Sequence, residues 1–229
     1  MTLENFQREV SAMFPCIWED DFVQDVQKTF DNYINIVSRL DNVKDDVIGN
    51  IKVLCAKLSN VLELYYDGRK GEAYMMFSAI MNGDTEIDGL FASIGCVDVQ
   101  PEEFYYRARE REIGVEFSIQ DMFHIPLNKR GIVSTQRYSS PGYPCLYLGN
   151  STYSCWEELR RLPFDHLMFS AYKVKYAFKV FDMRVPSDSD YFPEELIRTI
   201  RRIPLMLACG FVVKNPTDVF KPEYIIPQL

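Results

Sequence analysis

The chain has 229 residues, of which 47% are hydrophobic and 25% charged, and a formal net charge of −8. That is enough apolar sequence for one large or two small globular domains with a hydrophobic core. No run of about eighteen apolar residues is present to span a bilayer, and the first ten residues lack the basic and apolar stretches of a signal peptide. We therefore expect a cytoplasmic protein with no membrane partner.

Charge is distributed unevenly along the chain. Residues 1–98 carry 17 acidic and 8 basic side chains, whereas residues 99–229 carry 16 acidic and 17 basic side chains. An excess of carboxylates repels the phosphates of DNA and RNA, so no nucleic-acid partner is predicted for the first region. The contrast predicts two regions with different roles, an acidic one followed by a nearly neutral one.

The cysteines do not follow a metal-binding pattern. They are scattered without a C-x-x-C pair, and the chain has only two histidines to complete a site. No metal site is therefore predicted, and we expect reduced thiols buried in the core, as is usual inside cells. The six are Cys16, Cys55, Cys96, Cys145, Cys155 and Cys209.

The acidic region is predicted to be helical. Residues 19–40 and 43–65 each carry apolar side chains at intervals of three and four positions, which indicates one apolar face per helix. Asp41 and Asn42 interrupt the pattern, so the two helices are predicted to form an antiparallel pair. Residues 72–83 are rich in Met and aromatic side chains, which suit either a partner surface or a core, and their helical spacing favours a core.

Glycine and proline residues between positions 82 and 102 predict a domain boundary there. The pattern then changes to short apolar and alternating runs typical of strands, mixed with capped helix starts. The predicted strands cover residues 144–149 and 171–185, and the predicted helices cover residues 154–161 and 193–203. The sequence thus predicts an α+β protein, with a helical N-terminal region over residues 1–98 and a mixed domain over residues 99–229.

Four polar side chains in the second region are candidates for chemistry: Arg107, Arg109, Arg137 and Glu158. Composition alone favours structural roles for them. Arginines near loops are mostly solvated, and a glutamate in the first turn of a helix is stabilised by the helix dipole.

The order of these residues resembles the RES domain, a family with an ADP-ribosyltransferase-like fold. The segment "FYYRARE" is similar to the opening strand of that family, and "QRYSSPGYPCLYLGNSTYSCWEEL" is similar to its central block. "FKPEYIIPQL" is similar to the segment before the family's last motif, so the resemblance covers residues 102–229. The positions that match the family's signature are Arg107, Arg137, Tyr147 and Glu158.

The resemblance implies an enzyme that degrades NAD+ as its substrate and needs no cofactor. Cleavage of the nicotinamide–ribose bond passes through an oxocarbenium-like state, which a carboxylate such as Glu158 would stabilise. Arg107 and Arg137 would hold the pyrophosphate in a bidentate manner, and Tyr147 would stack on the nicotinamide or the ribose edge. The catalytic assignment is therefore Glu158 with Arg107, and NAD+ binding is assigned to Arg137, Tyr147 and Arg107.

The resemblance also leaves alternatives open. The family's third signature residue, a Ser, lies beyond the segment that ends here at Leu229, so we expect a RES domain that is incomplete at its C-terminus. Ser139, Ser140 and Ser151 lie near the block, but their positions suit turn and cap residues. The alternatives are a catalytically inactive RES-fold binding module and an ADP-ribosyltransferase, and the residues do not separate hydrolysis from phosphorolysis or transfer.

Family members commonly act as the toxin of a toxin–antitoxin pair, which implies a protein antitoxin or regulator as a partner. The helical region resembles HEPN domains, some of which are ribonucleases that use a nearby Arg and His. Neither histidine of the chain lies within residues 1–98. We therefore expect this region to serve as a scaffold, a regulator or a homodimer contact.

Overall fold

A computed structural model describes residues 1–41, 43–93, 96–185 and 193–229, and confirms an α+β protein with a helical N-terminal region. The helices in these ranges are α1 (Leu3–Ser11), α2 (Phe22–Ser38), α3 (Asp45–Tyr66), α4 (Lys70–Asn82), α5 (Leu90–Ser93), α6 (Thr152–Glu158), α7 (Pro193–Cys209) and α8 (Ile225–Gln228). The strands are β1 (Cys96–Val99), β2 (Phe104–Glu110), β3 (Leu167–Lys173) and β4 (Phe178–Phe181). In the described ranges, no helix is long and apolar enough to cross a membrane.

The two long helices predicted in the acidic region are confirmed as α2 and α3. Asp21 sets the start of α2, because its carboxylate accepts a hydrogen bond from the Gln24 amide at 3.0 Å. Gln27, near the start of α2, donates to the Glu63 carboxylate near the end of α3 at 2.9 Å. That contact joins opposite ends of the two helices, as the predicted antiparallel pair requires.

The Met-rich segment is only partly a core element. It forms α4, in which Ala73, Ile80 and Met81 are buried. Tyr74 and Met75, however, are 54% and 68% exposed, so these two side chains do not belong to the core that the spacing favours. A run of adjacent apolar residues on a helix covers more than one face, and only one face of α4 meets its neighbours.

Contacts divide the described chain into two compact units. Residues 1–95 and 181–229 form what we call the helical unit, and residues 96–180 form the sheet unit. The sequence predicts one domain over residues 99–229, whereas the contacts assign residues 181–229 to the helical unit. The difference lies in α7, whose apolar stripe packs against α2 and α3 in the helical unit.

Helix α7 is longer than predicted and contains Pro204 in its interior. Proline has no amide hydrogen, so it cannot satisfy the carbonyl of Ile200 four residues earlier. The buried hydroxyl of Tyr33 on α2 donates to that carbonyl at 2.7 Å. The helix therefore continues past the proline, because a side chain from another helix replaces the missing donor.

The sheet unit is built around β2 and β3, which pair antiparallel with Arg107 opposite Ser170. Strand β1 pairs with β4 in a second two-stranded sheet. The strand predicted over residues 171–185 is split, because β3 already begins at Leu167 and ends at Lys173, and β4 follows separately. The alternation of apolar and basic residues continues between β3 and β4, so the sequence pattern does not indicate that the strand ends at Lys173.

The strand predicted over residues 144–149 is absent, apart from a single bridge between Gly149 and Tyr106. Pro144 lacks a donor for a ladder, so the run cannot pair along its whole length. Gly149 approaches closely because it has no side chain: a Cβ atom at this position would lie 2.8 Å from the Cys155 sulfur. The bridge fixes residues 147–149 beside β2.

Helix α6 begins two residues before the predicted start. Ser151 is its cap, and the Ser151 hydroxyl accepts a hydrogen bond from the Ser154 amide at 3.0 Å. The helix ends at Glu158 rather than continuing to Arg161, since Arg160 and Arg161 both adopt left-handed backbone angles, with φ of 56° and 57°. Glu158 is therefore the last residue of α6.

Candidate functional site

Arg107 and Arg109 lie two residues apart on β2 and therefore point to the same face of the sheet. Nη1 of Arg107 donates to the carbonyl oxygens of Met122 at 3.1 Å and Phe123 at 2.7 Å. Nη1 of Arg109 donates to the carbonyl oxygen of Asp121. Both guanidinium groups thus hold the backbone of residues 121–123 against this face.

Burial lowers the pKa of Arg107, and the positive charge of Arg109 lowers it further. A guanidinium begins so far above neutral pH that Arg107 keeps its charge in spite of both effects. Nη1 of the half-buried cation contacts these two carbonyl oxygens, and the guanidinium also interacts with the neighbouring Tyr172 hydroxyl. A guanidinium is suited to bind an anionic group such as a phosphate.

The loop that carries Arg137 is connected to Tyr147. Gln136 and Ser139 exchange backbone hydrogen bonds of 3.0 and 3.1 Å, which makes a tight turn with Arg137 inside it. The Tyr147 hydroxyl donates to the buried Ser139 hydroxyl at 3.3 Å. Arg137 is itself half-buried, so the turn and Tyr147 form one connected structure.

The two glutamates at the end of α6 differ in their surroundings. Glu157 accepts hydrogen bonds from the Arg161 guanidinium at 2.9 and 3.0 Å. Arg161, and then the Tyr153 hydroxyl, hold the pKa of Glu157 below its ordinary value. Glu158 is exposed and makes no hydrogen bond or ion pair with any residue that the structure describes. Of the two carboxylates, Glu158 is the one open to a ligand.

Tyr106 on β2 connects the three segments that carry the predicted site residues. The Tyr106 amide donates to the Gly149 carbonyl at 2.8 Å. The Tyr106 carbonyl accepts from the Gly149 amide at 2.7 Å and from the Cys155 thiol at 3.3 Å. Arg107 follows Tyr106 directly, Tyr147 lies two residues before Gly149, and Glu158 lies three residues after Cys155. The backbone of the sheet unit therefore gathers all three segments beside one strand.

The side chains do not all meet on one face. Phe169 is paired with Ala108, the neighbour of Arg107, so it points to the opposite face of the sheet from Arg107. Phe169 lies beside Phe164, which stacks on Trp156 of α6 at 5.4 Å. The aromatic contacts of α6 thus lie on the face opposite Arg107, and within the described residues no hydrogen bond or ion pair joins Glu158 to the other three candidates.

Sequence reasoning missed two polar groups next to Arg107. Ser170 lies directly opposite it on β3, and the buried Ser170 hydroxyl has no hydrogen-bond partner among the described residues. Tyr172, two residues further on the same face, donates its hydroxyl to the carbonyl of Met122. Only the register of β2 against β3 reveals these neighbours, because no local pattern states which strand pairs with which.

Among the described residues, large grooves also lie away from the predicted site residues. One, of about 560 Å³, lies between α2 and α3 and is lined in part by Asp31, Lys52 and Glu63. The other, of about 510 Å³, lies beside His166 in the sheet unit. Neither is lined by a predicted site residue. Among the described residues, no cluster of three or more His, Cys, Asp and Glu side chains is arranged to hold a metal ion.

Five thiols are described, and none is in a disulfide: Cys16, Cys55, Cys145, Cys155 and Cys209. Four of these are buried, as predicted, whereas Cys145 is only half-buried. The side chain of Cys96 lies outside the described residues.

Comparison with known proteins finds one relationship of note. No protein-family model and no solved structure matches the chain. It is 34% identical over 230 residues to the protein named "Putative toxin YopC" of Bacillus subtilis (strain 168), and the match covers 91% of this chain. The chain spans about half the length of that protein, 51%. It is thus similar to a protein that carries the name of a toxin.

Proposed function

We propose that this chain is a RES-type toxin that degrades NAD+ by cleaving the nicotinamide–ribose bond, with Glu158 and Arg107 as catalytic residues and Arg137 and Tyr147 in substrate binding. The observation that carries the proposal is the arrangement around Tyr106, which hydrogen-bonds the segments of Tyr147 and Glu158 beside Arg107. Similarity to a protein named as a toxin supports the biological half of the proposal.

The chemistry needs one carboxylate and one or more cations. In the reaction, the bond between nicotinamide and the ribose carbon breaks, nicotinamide leaves with the electron pair, and positive charge develops on the ribose. Glu158, which no described cation neutralises, stabilises that charge. Water then adds to the ribose carbon and releases a proton, giving ADP-ribose, while Arg107 and Arg137 bind the pyrophosphate.

The two carboxylates at the end of α6 provide a matched test. Glu158→Gln keeps the shape of the side chain and removes its charge, so nicotinamide release from NAD+ is expected to fall at least about 100-fold. Glu157→Gln is the control, since the Glu157 carboxylate is already neutralised by Arg161, and it is expected to retain activity. Equal loss in both variants, or none in Glu158→Gln, would contradict the assignment.

The toxin role is tested in cells. Expression of the wild-type chain is expected to lower cellular NAD+ and arrest growth, and Glu158→Gln is expected to relieve both effects. Growth arrest that persists in Glu158→Gln with normal NAD+ would refute the proposed link between the site and toxicity. Coexpressed proteins that restore growth and bind the chain would identify the antitoxin that the proposal includes.

A second candidate function is a binding module without catalysis. It is favoured because Arg107 and the aromatic contacts of α6 lie on opposite faces of the sheet, whereas catalysis needs its groups to converge on one site. Calorimetry with NAD+ separates the candidates: binding without nicotinamide release indicates the module, and release indicates the enzyme. Transfer of labelled ADP-ribose to protein would instead indicate an ADP-ribosyltransferase.

A further inference from the structure

In the part of the chain that the structure describes, strand β3 has one edge paired with β2 and one edge without a partner strand. Tyr106 gives its amide and carbonyl to Gly149 on the far side of β2, so its pairing with Ala171 is of the type without mutual hydrogen bonds. The amide and carbonyl of Ala171 therefore point away from β2. The same alternation directs the backbone groups of Phe169 and Lys173 to that free edge.

Among the described residues, no backbone group pairs with this edge, and the charge of Lys173 lies only at its end. Phe169, Ala171 and Lys173 make no backbone hydrogen bond at this edge with any described residue. The strand sequence "LMFSAYK" contains no proline or glycine, and its one charge lies at its end. Natural sheets usually block such an edge with a charge, a proline, a bulge or a covering segment.

The sheet unit also buries little of itself. Among residues 97–180, the buried side chains are Val99, Met122, Ser139, Cys155, Leu167 and Val174. A two-stranded sheet is marginally stable alone, and additional strands or packing layers are needed to stabilise it. An added strand at β3 would supply both backbone hydrogen bonds and apolar cover.

We propose that the free edge of β3 pairs antiparallel with β3 of a second copy of this chain, around a two-fold axis at Ser170, to form a four-stranded sheet. In this register the outward groups of Phe169 in one copy meet those of Ala171 in its partner. The proposal does not rest on the NAD+ chemistry, although its axis at Ser170 lies opposite Arg107. It places the dimer contact in the sheet unit, whereas the sequence leaves a homodimer contact in the helical region as one of three possible roles of that region.

The register is compatible with a second copy because it opposes no like charges. Phe169 lies opposite the smaller Ala171, and Lys173, which carries the one charge of the strand, lies opposite Leu167. Ala171 is exposed and leaves room for the Phe169 ring of the other copy. A two-fold contact of this kind uses the same edge twice and closes after two copies, so it does not propagate into a fibre.

The first test is sedimentation of the whole chain over a range of concentrations. The wild type is expected to form a dimer. Ala171→Lys places two lysines diagonally across the axis without changing the backbone, and Ala171→Pro removes the outward donor, so each is expected to raise the dimer Kd about tenfold or more. Ser134→Lys, at an exposed loop position of the same unit, is the matched control and is expected to leave the Kd unchanged.

The second test fixes the register. Residues facing each other in a pair without mutual hydrogen bonds have Cα atoms about 4.5 Å apart, a separation that a disulfide spans. The side chain at position 170 is buried in the single chain, so it must turn toward its partner for the bond to form. With that turn, Ser170→Cys is expected to give a disulfide-linked dimer under mild oxidation, and Ser134→Cys is expected to stay monomeric on a non-reducing gel. Adding Ala171→Lys to Ser170→Cys is expected to suppress the cross-link.

Two outcomes would overturn the proposal. A wild-type chain that stays monomeric at high concentration has no such contact, and its edge is then either empty or reserved for another protein. A dimer that withstands both Ala171 variants and does not cross-link through Ser170→Cys is formed by a different surface, such as the helical region. Circular dichroism of each variant shows whether it has kept its fold. If Ala171→Pro unfolds the chain, the dimer Kd of Ala171→Lys alone decides the test.

Discussion

Replacement of Tyr33 by Phe tests how the interior proline of α7 is accommodated. The Tyr33 hydroxyl donates to the Ile200 carbonyl at 2.7 Å, because Pro204 has no amide hydrogen to donate to it. Tyr33 and Ile200 are both fully buried, so water cannot replace the lost bond. A buried carbonyl left without a partner costs about 1–3 kcal/mol, and we expect Tyr33→Phe to lower the free energy of unfolding by about 2 kcal/mol.

Pro204→Ala provides the matched background for this experiment. Alanine at position 204 restores the amide that bonds the Ile200 carbonyl within the helix, so the Tyr33 hydroxyl is no longer the sole donor. In that background, Tyr33→Phe is expected to cost less than about 1 kcal/mol, a coupling of about 1–2 kcal/mol between the two sites. Urea unfolding followed by far-UV circular dichroism measures all four chains. An equal cost of Tyr33→Phe in both backgrounds would refute the reasoning.

Two further predictions concern titrating groups. Lys57, at 2.7 Å, together with two backbone amides, lowers the pKa of Asp84 to about 2, so its stabilising effect is complete above about pH 4 and is lost as the pH falls toward 2. The difference in unfolding midpoint between wild type and Asp84→Asn is therefore expected to shrink over that range, and a constant difference would contradict the assignment. Burial raises the pKa of Cys16 to about 12 and that of Cys55 as well, so among the five described thiols a disulfide reagent at about pH 8 is expected to label Cys145 first. Peptide mapping checks this order, and early labelling of Cys55 would show that the core opens readily.

Local sequence patterns predicted most of the helical elements correctly. The apolar faces of α2 and α3 follow from three- and four-residue spacing, since that spacing places side chains on one side of any helix. Ends were less accurate: α6 was predicted from Ser154, but Ser151 also carries a capping hydroxyl, and the structure uses the earlier one. A cap motif states that a helix begins nearby and leaves the choice between two serines to the surrounding contacts.

The candidate site was only partly within reach of sequence. The resemblance placed Arg107, Tyr147 and Glu158 on separate segments, and the structure connects these segments through the backbone of Tyr106. Which face of β2 each group occupies depends on the register with β3, where a shift of one residue would reverse every side chain. The unpartnered hydroxyl of Ser170 beside Arg107 follows from that register alone.

What the sequence by itself determined is therefore local: the helical stripes, the charge of each region and the absence of a metal-binding pattern. Tertiary structure decided which elements became neighbours, and above all that α7 packs with α2 and α3. The physical reason is that an apolar stripe specifies that a face must be buried without specifying by what. Shape complementarity and single hydrogen bonds, such as that from Tyr33 to Ile200, select the partner only once the chain has folded.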